Sequence, residues 1–72
     1  MRVCEGDACE FVVLSNSGYR WKVQNNHPTQ SIRVQFDGVR GGSLSSVDLE
    51  AGQSKVLFFA AFLGNWHANF IN

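Results

Sequence analysis

Proline and methionine each occur once in this sequence, cysteine occurs twice, and neither sign of charge is in excess. Two cysteines exclude a disulfide-dense miniprotein. Six basic residues balance six acidic ones, which argues against a general nucleic-acid binder and against a polybasic membrane-surface peptide. The longest apolar run, Val56 to Leu63, has eight residues. A transmembrane helix needs ~20, so no membrane span is expected. The start, Met1 to Asp7, lacks the apolar h-region of a secretory signal. The expectation is a cytoplasmic protein if Met1 is the native start, and an exported one if the chain is a mature domain. No G-x-S-x-G elbow, H-E-x-x-H, P-loop or G-x-G-x-x-G occurs. No nucleophile–base–orienter set can be named from spacing, so the chain is read as no enzyme, with no catalytic residue, no cofactor and no committed metal ligand.

What remains is a short chain rich in apolar residues. Its 72 residues allow one domain, 1–72, with residues 1–9 read as a loose N-terminal segment. Hydrophobic residues make up 44%, including six Phe, two Trp and one Tyr. Chains of this size seldom gain more than roughly 3–5 kcal/mol from one core, so a staple or a partner is expected.

The dominant period is two. Tyr19 to Gln24 and Ile32 to Asp37 alternate apolar and polar residues, the pattern of half-buried strands. Asn25 to Gln30, with Pro28, reads as the loop of a hairpin joining them. Phe11 to Leu14, Ser46 to Leu49, Ser54 to Ala60 and Trp66 to Ile71 read as further strands. Turns are expected at Ser15 to Gly18, Glu50 to Gln53 and Gly64-Asn65. Gly38 to Ser43 is the most flexible loop, because glycine costs most to order. Val56 to Leu63 also admits a helix capped by Ser54 and ended by Gly64. It has no polar face, which favours the strand.

The expected fold is therefore all-β, a small antiparallel sandwich or barrel of about six short strands. The phrase Val47-Asp48-Leu49-Glu50-Ala51-Gly52-Gln53-Ser54 resembles the strand–turn–strand step of immunoglobulin-like sandwiches. Val23-Gln24-Asn25-Asn26 followed by Ile32-Arg33-Val34 is similar to an earlier strand pair of that architecture. The resemblance implies an immunoglobulin-like sandwich, without the Cys and Trp spacing of antibody domains, and carries no function.

Four groups of residues are candidates for function. Cys4 and Cys9, spaced C-x4-C, read first as unlinked thiols, then as a small disulfide loop, then as zinc ligands joined by His27 and His67. Both histidines read as surface or loop residues. Arg20, Lys22 and Gln24, with Ser31, Arg33 and Gln35, form a basic strip on the hairpin's outward face, read as a solvated sheet face. Tyr19, Trp21 and Trp66 permit a carbohydrate- or small-ligand-binding reading, with core as the alternative for Trp66. Finally, Phe11 to Leu14 and Val56 to Ala60 offer apolar side chains to both faces of a sheet. Either other segments cover the outer faces, or a patch for a protein partner or a second copy is exposed. Leu57, Phe59 and Phe62, with Val12 or Val13 beside them, are the residues expected there. The preferred function is non-catalytic binding through that patch.

Overall fold

The computed structural model describes residues 3–40, 46–58, 61–62 and 64–71. The chain is all-β, as the alternation predicts. Its strands are β1 (Cys4–Glu5), β2 (Val12–Ser17), β3 (Arg20–Asn25), β4 (Ser31–Phe36), β5 (Val39–Arg40), β6 (Ser46–Leu49), β7 (Ser54–Phe58), β8 (Ala61–Phe62) and β9 (Trp66–Ile71), with one 3-10 turn at Cys9–Phe11. A four-stranded sheet in the order β1-β9-β4-β6 faces a three-stranded sheet in the order β2-β3-β7. A two-residue ribbon, β5-β8, joins Val39 to Phe62. The arrangement is a small β-sandwich.

Period-two alternation fills the space between the sheets. Ile32, Val34, Phe36, Val47, Leu49 and Ala68 point inward from the four-stranded sheet, and Val12, Trp21, Val23 and Leu57 from the other. The 54–58 stretch is a strand, which the absence of a polar face favours over a helix. Residues 59, 60 and 63 lie outside the described part, as do residues 41–45, which include the 41–43 portion of the glycine-rich loop. Gly38 itself stands at φ +67° and leads into β5.

The hairpin expected between β3 and β4 does not form. β3 pairs with β2 and β7, whereas β4 pairs with β6 and β9. The 26–30 segment therefore crosses from one sheet to the other. Alternation gives the inward face of each strand but not its neighbour, so a hairpin and an arch between sheets read alike. The true hairpin is β2-β3. Strand pairing runs on to Ser17 opposite Arg20, leaving Gly18 and Tyr19 as a two-residue loop. Gly18 stands at φ +61°, a conformation glycine adopts without strain at the first position of such a loop. The 50–53 turn forms as predicted, with Gly52 at φ +76° and the Gln53 N–H donating to the Glu50 carbonyl at 2.9 Å. It too passes from one sheet to the other, from β6 to β7.

Asn25 ties both crossings together. The sequence suggests a turn residue, yet it ends β3 with its side chain wholly buried. Its Nδ2 donates to the carbonyls of Gln30 at 2.8 Å and of Leu49 and Glu50 at 3.2 Å. Its Oδ1 accepts the His27 N–H at 2.8 Å, and its own N–H donates to the Gln53 carbonyl at 2.9 Å. A buried amide with every polar atom paired is stabilising, whereas the same group unpaired is costly. One residue thus fixes where the chain leaves each sheet.

The N-terminal segment, expected to be loose, is tied down from Val3 onward. The Val3 carbonyl accepts the Trp66 N–H at 3.2 Å, and β1 runs parallel to β9. The Ala8 N–H donates to the Ala68 carbonyl at 2.9 Å, and the Phe70 N–H to Asp7 Oδ1 at 2.9 Å. Cys4 and Cys9 form a disulfide, so the preferred reading of two unlinked thiols is corrected. Their Cα atoms are 5.9 Å apart, because the intervening residues loop back over β9. Gly6 makes that approach possible: it stands at φ +130°, and a Cβ there would overlap the Ala68 carbonyl oxygen. The staple that so short a chain calls for is this loop, which also covers the edge of β9.

Candidate functional site

The outer faces of the two sheets differ in kind. On the four-stranded sheet, Arg33 and Asp48 stand opposite each other across β4 and β6. They form a two-pronged pair, Nε to Oδ1 at 2.8 Å and a terminal guanidinium nitrogen to Oδ2 at 3.2 Å. The hydrogen bond from Arg33 holds the Asp48 carboxyl below its ordinary value, and the same bond raises Arg33. His67 Nε2 lies 2.8 Å from Asp37 Oδ2, and Asn65 Nδ2 donates to Glu5 Oε1 at 2.9 Å. Polar groups here are turned toward one another.

The outer face of the three-stranded sheet forms a grid set by register. Val13, Gln24 and Ser54 make one row, Ser15, Lys22 and Val56 the next, and Ser17, Arg20 and Phe58 the third. Phe58 is 69% exposed, Val13 49% and Val56 36%, and Tyr19, in the loop at the Phe58 end, is 70% exposed. These four and Val3 are the large hydrophobics with high exposure among the described residues. Neither Arg20 nor Lys22 makes an ion pair among the described residues. Ser15, Asn16, Ser17, Arg20 and Lys22 line a shallow depression of about 170 Å³.

The structure redistributes the residues expected to form the patch. Leu57 and Val12 are 5% and 8% exposed and belong to the core, so both are removed from the candidate interface. In a continuous apolar run the parity is not visible, and a one-residue shift exchanges the faces. The outward positions are Val56 and Phe58 on β7 and Val13 on β2. Phe59 lies outside the described residues, and Phe62 is placed only by its backbone, opposite Val39. The 19–35 basic strip is also divided. Arg20 and Lys22 stand on the three-stranded sheet, and Arg33 and Gln35 on the other, because β3 and β4 do not share a sheet.

The aromatic ligand set is dispersed as well. Trp21 is core, and half-buried Trp66 packs against the core cluster with its ring stacked on Phe36 at 6.3 Å. Tyr19 alone of the three is exposed. The thiolate–metal set is overturned, since both sulfurs are taken up in the disulfide. No group of three or more His, Cys, Asp or Glu able to hold a metal occurs among the described residues. Half-buried His27, expected as an exposed loop residue, packs edge-on between Phe11 at 4.6 Å and Phe70 at 5.2 Å. Its Nδ1 accepts the N–H groups of Thr29 and Gln30 at 3.1 and 2.9 Å. It shapes the 26–30 crossing.

No helix among the described residues is long and apolar enough to cross a membrane. Fold and staple define a class, the small disulfide-closed β-sandwich. Compared with models of known protein families, with curated proteins and with solved structures, the chain matches none.

Proposed function

We propose that this chain is a non-catalytic interaction domain that meets a protein partner through the outer face of its three-stranded sheet. One observation carries the reading: Val13, Val56, Phe58 and Tyr19 are all exposed on that face or at its end. Val56 and Phe58 are side by side on β7, with Val13 across the sheet; large apolar side chains collected on one face of so small a fold suit docking, whereas single exposed residues are ordinary. Aromatic residues and arginine are enriched in protein interfaces. The disulfide suits an oxidising compartment and so favours the exported alternative for location.

The test is a photo-crosslinker. Benzoylphenylalanine placed at Phe58 in the source cells gives a discrete adduct, and the same group at Asn69, exposed on the opposite sheet, gives none. Equal labelling from both positions, or none from Phe58, contradicts the reading.

A further inference from the structure

We infer that the occupant of this face is an acidic protein segment carrying an apolar side chain beside its carboxylates, and not a second copy of the chain. This rests on the docking role proposed above and adds the partner's chemistry.

The argument begins with charge. Glu5, Asp7, Glu10, Asp37, Asp48 and Glu50 are all the carboxylate side chains in the sequence, and none lies on β2, β3 or β7. Of the cations on those strands, Arg20 and Lys22 stand on the outer face, whereas Lys55 is in register with inward-facing Val23 and lies toward Asp48. The neutral total thus conceals a face with cations only. Register arranges that face in columns. Arg20 and Lys22 form the middle column, with Ser17 and Ser15 on one side and Phe58 and Val56 on the other. Ser15, Asn16, Ser17, Arg20 and Lys22 line the shallow depression, and the Val56–Phe58 column lies along the sheet edge.

Each column asks for a different feature of one ligand. A carboxylate at the depression can accept from Arg20, Lys22 and the two serine hydroxyls, and charge-assisted bonds from a guanidinium are the strong kind. A neighbouring aliphatic or aromatic side chain covers Phe58 and Val56. A second copy related by a two-fold axis would bring the same face against itself. Arg20 and Lys22 of both copies would then lose water with no carboxylate to receive them, which is unfavourable. A nucleic-acid strand would satisfy the cations, and Phe58 and Tyr19 offer surfaces for stacking. Val13 and Val56 offer none, and a chain with no net charge gains little of the long-range attraction on which phosphate binding depends.

The test selects random peptides on phage against the immobilised chain, then measures synthetic copies of those recovered. The expected peptides join Asp or Glu to an aromatic or aliphatic residue. Their binding is lost with Phe58→Ser and falls about tenfold or more with Arg20→Glu plus Lys22→Glu or in high salt, as a charge-assisted contact should. Recovered peptides without acidic residues that still need Phe58 overturn the acidic partner and leave the docking face standing. Failure to recover peptides, or binding indifferent to Phe58→Ser, removes both. Sedimentation as a dimer that Phe58→Ser disperses, or tight oligothymidylate binding lost with the two charge reversals, replaces the acidic protein with another occupant and overturns the inference.

Discussion

The corner around Asn25 and the outer face of the three-stranded sheet use similar residue types in opposite ways. At the corner, the amide, the His27 ring nitrogen and the nearby backbone groups find partners, and Phe11, His27 and Phe70 pack as a trio. On the outer face, Phe58 and Tyr19 stand in water, and Arg20 and Lys22 have no counter-ion among the described residues. The lesson lies in satisfaction rather than composition. Groups paired within the chain hold the fold, and groups left unpaired together on one face are available to something else.

Substitutions separate the two regions, and the largest effect belongs to the corner. Asn25→Asp keeps the shape but turns an acceptor toward the carbonyls of Gln30, Leu49 and Glu50. A loss of about 3 kcal/mol or more is expected, read as a lower urea midpoint, because three carbonyls, that of Leu49 buried, lose their donor and a buried charge is added. A neutral outcome would show that this amide does not clasp the two crossings. The next largest effect comes from Cys4→Ser with Cys9→Ser. Opening so short a loop should cost about 2 kcal/mol on chain-entropy grounds. Amide exchange should quicken first along β1 and β9, where the loop is pinned. Uniform quickening through β3 and β7 would break the picture of a local staple.

The smallest effect belongs to the polar outer face. Asp48 has its carboxyl lowered in the folded chain by the Arg33 hydrogen bond. The pair therefore stabilises the fold above the ordinary carboxylate range and ceases to do so as the pH falls through the lowered value. Asp48→Asn should flatten the stability profile below about pH 4 and change little at neutral pH, as expected of an exposed pair. An unchanged acid slope would show that Asp48 is not the group responsible.

Much of this arrangement is legible in the sequence. Trp21 and Val23, Ile32, Val34 and Phe36, and Val47 and Leu49 alternate with polar neighbours, so their inward faces are clear without a structure. Three things are not. Alternation cannot say which strands pair, and so β3 and β4 read as a hairpin. Apolar runs such as Phe11 to Leu14 and Val56 to Phe59 hide their parity, and so Leu57 stands in for Phe58 and Val12 cannot be told from Val13. Asn25 sits among turn formers, and burial alone distinguishes it from Asn26. The C-x4-C spacing likewise leaves the disulfide open, since the approach depends on Gly6 folding over Ala68.

The two neighbours Leu57 and Phe58 give the sharpest test of a sheet with one face for the fold and one for a partner. Urea unfolding of Leu57→Ala and Phe58→Ala, side by side, measures it. Leu57→Ala is expected to cost about 2–4 kcal/mol, as a buried leucine does. Phe58→Ala should cost less than about 0.5 kcal/mol, as an exposed side chain does. A Phe58→Ala loss equal to that of Leu57→Ala would mean that the chain itself covers Phe58, and the face would not be free to bind.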